Sequence, residues 1–178
     1  MTTTIRRATL ADSSDISTLI AESARELGRS DYSDDVIEAA LKSAWGLDTQ
    51  LLRDGTYFLA LVDGELAACG GWSFRGTLFG SDSSSSRDNA GLRPGEDAAR
   101  IRAFFVRPKF ARQGLGSQLL AHCEQEARNA GFLTLSLGAT EPGRRLYRAF
   151  GFVEGKPIDI DLGNGLTMQV IPMSKKIA

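Results

Sequence analysis

Residues 100–132 read RIRAFFVRPKFARQGLGSQLLAHCEQEARNAGF. Three elements succeed one another in this stretch: a buried strand, a glycine turn and an amphipathic helix. Ile101, Ala103, Phe104, Phe105 and Val106 make a short apolar run, the pattern of a strand covered on both faces. Pro108 cannot donate to a ladder, so the strand stops before it. Gly114 and Gly116 then open a helix whose first N–H groups have no partner within the helix. Such free donors, together with the macrodipole, suit an anion, and Arg107, Lys109 and Arg112 add positive charge. The turn reads as a phosphate cradle. The alternative is a tight strand-to-helix turn that needs glycine for geometry alone.

Two known cradles differ from this one. A nucleotide P-loop requires Gly-Lys-Ser/Thr, whereas Gly116 is followed by Ser117 and Gln118, with neither the lysine nor the metal-binding hydroxyl in place. A dinucleotide turn requires a third glycine where this chain has Leu119. The residues after the turn are more telling. Leu115, Leu119, Leu120, Cys123, Ala127 and Ala130 share one side of the helix, and Gly131 ends it. A second strand is predicted over 132–137. A strand, crossover helix and strand of this length imply parallel neighbours joined with a right-handed connection. Thr140, Glu141 and Pro142 then make a helix start, and a short helix over 143–150 carries Leu146 and Phe150 before Gly151.

The pair RQGLGSQLL (112–120) and RRLYRAFGF (144–152) resembles the GNAT superfamily of acyl-CoA-dependent N-acetyltransferases. The resemblance rests on the order of the parts: strand, glycine turn, helix, strand, then Leu-Tyr-x-x-x-Gly-Phe. The family's usual cradle is Gln/Arg-x-x-Gly-x-Gly/Ala, and here its first position is Ala111, with basic Arg112 one residue on. Thr140 stands where many relatives have Asn. The resemblance implies an α/β (α+β) fold: a mixed, mostly antiparallel sheet of about seven strands and about four helices. It also implies one parallel β-α-β crossover at the cofactor site, within a single N-acetyltransferase domain over 1–178.

Length and charge agree with that class. The 178 residues suffice for one domain with a sizeable core. A net charge of −1 and a pI near 5.9 offer no basic field for nucleic acid. No apolar run approaches the ~20 residues of a membrane span, and the first residues lack the apolar core of a signal peptide, which points to the cytoplasm. Cys69 and Cys123 are too few and too isolated for a disulfide framework or zinc site, so both read as reduced core residues. The single His122 lies beside an apolar stripe, and no metal site is implied.

Elsewhere the pattern predicts a strand over 5–8, helices over 14–27 and 33–44, and a hairpin of strands 56–62 and 65–72. Asp63-Gly64 is the hairpin's type I′ signal. Two more strands are predicted at 154–162 and 167–175, joined by Gly163-Asn164-Gly165. Residues 73–97 are polar and rich in Ser and Gly, the composition of a flexible insertion. A loop this long in a compact domain is either a functional lid on the substrate side or a segment without a role.

The resemblance also assigns roles. Backbone N–H groups of Arg112, Gln113, Gly114, Leu115, Gly116 and Ser117 would hold the pyrophosphate of acetyl-CoA. Phe104, Phe105 and Val106 would pair its pantetheine arm like an added strand, and Thr140 would bond that arm. The N–H of Phe105 would polarise the thioester carbonyl. Tyr147 would hand a proton to the departing sulfur and touch the cofactor; the alternative for it is a core tyrosine with its hydroxyl toward solvent. A general base is not legible. Glu96 with Asp97, or Asp159 with Asp161, could hold a cationic acceptor or simply form a solvated rim. Tyr32, Trp45 and Trp72 could wall a pocket or fill the core. The function so implied is acetyl transfer from acetyl-CoA, the co-substrate, to a primary amine of a small molecule or peptide by direct attack. The implied partners are acetyl-CoA and an amine acceptor, with no nucleic acid and no membrane, and a homodimer is compatible with the class. Two alternatives stand: a non-catalytic acyl-CoA-binding module, and an acyltransferase with another donor or acceptor atom.

Overall fold

A computed structural model describes residues 1–85 and 87–178; Ser86, inside the expected 73–97 insertion, lies outside the described residues. The elements are β1 (Thr3–Arg7), α1 (Ser13–Leu27), α2 (Asp34–Leu41), α3 (Thr49–Asp54), β2 (Tyr57–Val62), β3 (Glu65–Ser73) and β4 (Ala99–Val106). Then come α4 (Leu115–Asn129), β5 (Thr134–Ala139), α5 (Arg144–Ala149), β6 (Val153–Glu154), β7 (Ile158–Gly163) and β8 (Leu166–Lys176). One sheet runs in the order β1-β2-β3-β4-β5-β8-β6, with β7 also paired to β8. The only parallel pairing among the described strands is β4 with β5. The mostly antiparallel sheet with one parallel crossover is therefore as the sequence implied, with eight strands rather than about seven.

The extra strand and the extra helix each have a local cause. The single strand expected over 154–162 is broken by Gly155-Lys156-Pro157, since proline cannot donate to the ladder. Its halves pair with different parts of β8: Glu154 opposite Met173, and Ile158 opposite Val170. Helix α3 went unread because it is short, yet both of its ends are marked. The Asp48 side chain accepts from the Gln50 N–H, and Gly55 terminates the helix in the left-handed region. Helix α2 stops at Leu41, short of the expected 44. In the β2–β3 hairpin Asp63 and Gly64 both have positive φ, as a type I′ turn requires.

Two apolar layers form on opposite faces of the sheet. On one face α4 buries Leu115, Leu119, Leu120, Cys123 and Ala127 against Phe58, Ile101, Leu135 and Leu137. Ala130, expected on this stripe, is exposed at the helix end. On the other face α1, α2 and α3 bury Ile16, Leu19, Ile20, Ile37 and Leu51. Cys69 and Cys123 are free and buried. Burial pushes the Cys69 thiol up to about 12, so it is a packing group and not a thiolate nucleophile. No helix among the described residues is long and apolar enough to cross a membrane.

The turn into α1 is pinned by Asp12, whose carboxylate takes two hydrogen bonds from Arg6 at 2.8 and 2.9 Å and one from the Thr9 N–H at 2.8 Å. Mainly through Arg6, its pKa is held down to about 2. A depressed carboxylate adds stability above its unfolded pKa of about 4, and that contribution is lost as pH falls through about 2. Arg6 is half exposed, so solvent screening limits the gain to about 0.5–1 kcal/mol. Asp12→Asn should lower Tm at pH 7 by roughly 1–3 °C, and the gap should close by pH 2. A gap unchanged between pH 7 and pH 2 would show that the ion pair contributes nothing.

Candidate active site

The site is built on the ends of β4 and β5. Their parallel pairing lasts for two residue pairs, Ala99 with Leu135 and Arg100 with Ser136, and stops there. Beyond that point β4 is bent by a bulge. Between Cys69–Phe105 and Gly71–Arg102, β4 carries one residue more than β3. Ala103 takes the strain with φ of +54°, and the buried Tyr57 hydroxyl donates to its carbonyl at 2.6 Å. The close approach of Gly70 belongs to the same arrangement. A Cβ there would lie 2.6 Å from the Phe104 ring, so only glycine lets that ring lie flat on β3.

The bulge shifts the strand's alternation, so that Ile101 and Phe104, three residues apart, lie in the same layer. Phe104 and Val106 pack with the α4 layer, while Ala103 and Phe105 pack with the α1–α3 layer. Between β4 and β5 lies a cavity of about 260 Å³ whose walls come from both faces of the sheet. Gly116, Leu146 and Tyr147 line it from the α4–α5 side, and Ala24, Leu27 and Trp45 from the α1–α2 side. Phe104, Phe105, Val106 and Thr140 line it at the gap itself.

At the α4 side of this gap the helix starts without a side-chain cap. Gly114, in the left-handed region at φ +80°, is its N-cap residue, and a Cβ on it would meet no atom within 4 Å. The first-turn N–H groups of Leu115, Gly116 and Ser117 have no backbone acceptor among the described residues, as an anion site requires. Arg112 and Gln113 beside it are exposed, and Arg112 has no ion-pair partner among the described residues. The leucine side chain of Leu115 is buried, leaving only its backbone to the site. Two expected cations are not available to the cradle. Lys109 binds Glu65 at 2.7 Å, and Arg107 sits between Glu65 at 3.4 Å and Glu22 at 3.5 Å. Carboxylates from β3 and α1 thus neutralise a pair that sequence spacing alone had given to the phosphate.

Tyr147 is buried, with its ring edge-on to Phe104 and Phe152 at centroid distances of 6.5 and 5.8 Å. Its hydroxyl makes no hydrogen bond to the protein among the described residues. Burial pushes its pKa above the usual 10, so the phenol keeps its proton throughout the neutral range.

The acidic pairs weighed from the sequence do not line the cavity. Asp159 and Asp161 are exposed on β7, while Glu96 pairs with Arg93 and Asp97 accepts from the Arg93 N–H. Of the three aromatic candidates, Trp45 lines the cavity and Tyr32 packs behind it at 5.5 Å, accepting from the Glu141 N–H. Trp72 is core, packed edge-to-face with Phe74 and Phe132. His122 packs on Phe58 and is not part of the lining.

One feature went unread in the sequence: how the 73–97 segment is fastened beside the cavity. The 73–97 segment, expected to be a flexible insertion, supplies Leu78, Phe79 and Gly80 to the cavity wall. It is fastened by a buried ion cluster. Arg102 of β4 donates to Asp48 at 2.9 Å and to the Gly80 carbonyl at 2.6 Å, and Arg87 reaches Asp48 at 3.0 Å. Arg75 forms a bidentate pair with Asp54 at 2.7 and 2.8 Å, and Asp82 accepts from the Thr49 N–H and hydroxyl. A signal was present, because an arginine within the apolar run of β4 must find a carboxylate.

The bulged strand, the gap beside it and the uncapped helix start meet at one cavity. The Acetyltransferase (GNAT) family matches residues 18–152, and the chain belongs to that family. Among solved structures, it is similar to a GCN5-related N-acetyltransferase from Rhodopseudomonas palustris: TM-score 0.72, 18% identity, covering 99% of this chain and 97% of that one. It is also similar to the PaiA N-acetyltransferase from Thermoplasma acidophilum in complex with coenzyme A, with TM-score 0.66, 18% identity and coverage of 99% and 100%. The ribosomal-protein-S18-alanine N-acetyltransferase from Escherichia coli aligns with TM-score 0.62, 18% identity and coverage of 99% and 95%. At this identity the likeness is one of fold. No curated protein sequence matches the chain.

Proposed function

We propose that the protein transfers the acetyl group of acetyl-CoA to a primary amine of a small molecule or peptide by direct attack. The observation that carries the reading is the cavity at the β4–β5 gap, which reaches from Gly116 in the first turn of α4 on one face to an apolar wall on the other. In this reading the N–H groups from Arg112 to Ser117 take the pyrophosphate. The backbone of Phe104, Phe105 and Val106 pairs the pantetheine arm where β5 has moved away, and Thr140 bonds that arm. The Phe105 N–H, to which the resemblance assigns the thioester oxygen, is turned to β3, because Phe105 pairs with Cys69 in the register in which the Arg107 N–H donates to the Ala67 carbonyl at 2.8 Å. In this reading the Val106 N–H, on the gap side, donates to the thioester oxygen as negative charge develops there. The amine nitrogen bonds to the carbonyl carbon, the carbon–sulfur bond breaks, and Tyr147 gives its proton to the sulfur. The proton of the amine leaves through water, since no described carboxylate lines the cavity.

The test is an acceptor panel with acetyl-CoA, following free thiol, alongside calorimetric binding of coenzyme A. Thiol release that depends on an amine supports the reading. Cofactor binding with no turnover across a wide panel would replace it by an acyl-CoA-binding module. In a thermal-shift assay acetyl-CoA at 100 times its Kd should add about 2.7 kcal/mol of stability, with ATP and NAD adding none. Stabilisation by ATP or NAD alone would sink the assignment.

The cradle has its own test. Gly114→Val should weaken coenzyme A binding by at least about tenfold, because a branched residue at φ +80° is strained and its side chain fills the space that the N–H groups face. Unchanged affinity by calorimetry would place the phosphates elsewhere.

A further inference from the structure

The half of the cavity reached from the α1–α2 face is walled by Leu27, Trp45, Leu78, Phe79, Met168 and Val170. No described residue of the lining is a carboxylate. The titratable groups that face it are Tyr147 from α5 and Arg102 from β4, with Tyr32 packed behind Trp45. The carboxylates nearest Tyr32 are Asp31 and Glu141, neither of them in the lining, and Glu141 is paired with Arg144 at 2.9 Å. The Arg102 cation is already paired with Asp48, which Arg87 also holds, so this wall carries no free negative charge. An ammonium placed here would lose water and gain no partner, a cost that a neutral amine avoids. An apolar body against these side chains would gain from burial instead.

We infer that the acceptor is a weakly basic primary amine on an apolar, ring-sized body, of the kind an aromatic α-amino amide or N-terminal residue presents, and not a polyamine or lysine side chain. The inference rests on the acetyl-transfer reading for its chemistry and on the pocket walls for its specificity. Without a lining carboxylate to take the proton, the neutral amine has to come from the solution equilibrium. An α-amine titrates about 2.5 units below an alkyl amine of the lysine type, so at neutral pH its neutral form is about 10²-fold more abundant.

Three acceptors decide it: L-phenylalaninamide, 2-phenylethylamine and spermidine. At pH 7, kcat/KM should be highest for phenylalaninamide, lower by about 10²-fold for phenylethylamine, and lower again for spermidine. Between pH 7 and 10 the first two should converge, each rising with the titration of its own amine. Equal values at pH 7, a common enzyme titration for both, or preference for spermidine would overturn the inference. Calorimetry on the coenzyme A complex separates this from the acetyl-transfer reading. Tighter binding of phenylalaninamide than of spermidine, without turnover of either, would leave the pocket inference standing while transfer fails. Spermidine binding as tightly would overturn the inference. Phe79→Glu should narrow the gap between spermidine and phenylalaninamide at least tenfold; unchanged selectivity would remove the acceptor from this wall.

Discussion

Tyr147→Phe should bind acetyl-CoA as tightly as the parent and lose about 10²-fold in kcat. The ring contacts with Phe104 and Phe152 survive the change, and only the phenolic O–H is removed. General acid catalysis is typically worth about 10²–10⁴-fold, and a thiolate leaves readily, so the low end applies. The effect should fall on kcat, because in the proposed mechanism the proton is donated as the carbon–sulfur bond breaks and not on binding. Burial raises the phenol above its usual pKa, so the parent should show no loss of kcat from tyrosine ionisation between pH 6 and 9. Steady-state kinetics with any working acceptor would settle it. Equal kcat for the two proteins across that range would make Tyr147 a packing residue and leave the sulfur to take its proton from solvent.

The largest effect on stability is expected at Arg102. Its side chain is 2% exposed and that of its partner Asp48 is 1% exposed. Arg102→Met leaves a buried carboxylate held only by Arg87 and the Gln50 N–H. Removing one member of a buried pair costs about 3–5 kcal/mol, and the remaining Arg87 contact argues for the lower figure. In a domain of this size that corresponds to a fall in Tm of roughly 6–12 °C. Asp48→Asn should cost less, since the amide keeps one acceptor, and the double variant should recover part of the loss. Arg102 also bonds the Gly80 carbonyl beside Phe79, so KM for the acceptor should rise while KM for acetyl-CoA stays nearly constant. A Tm change under about 2 °C for Arg102→Met would mean that the cluster is neutral and the insertion is held by its other bonds.

Much of the stretch from β4 through α4 to β5 was legible because its signals are local. The apolar run of β4, Pro108, Gly114 and the stripe Leu115, Leu119, Leu120, Cys123 and Ala127 lie close together in the chain, and strand and helix periods can be read over that distance. Gly131 and the Thr140-Glu141-Pro142 turn mark the next boundaries in the same way. The errors also come from range. Arg107 and Lys109 look free to any local reading, since Glu65 and Glu22, which neutralise them, lie more than 40 residues away. Composition made 73–97 a polar insertion, and it has that composition. Its arginines and aspartates are nonetheless partners of Asp54, Asp48 and Thr49, which pair with them only once β4 and α3 are side by side.

The sequence by itself determined the order of strand, glycine turn, crossover helix and strand, and where the helix of Tyr147 begins and ends. Each depends on backbone preferences and periodicity that act over a few residues. Tertiary structure alone decided how far β4 and β5 separate, because the bulge at Ala103 is held by the Tyr57 hydroxyl from a strand 46 residues away. It alone decided which charges remain free and which residues wall the cavity, since α1, the 78–80 segment and β8 meet there only through the packed core. Pairing of charges and burial of apolar side chains are set by neighbours in space, and those neighbours come from separated parts of the chain.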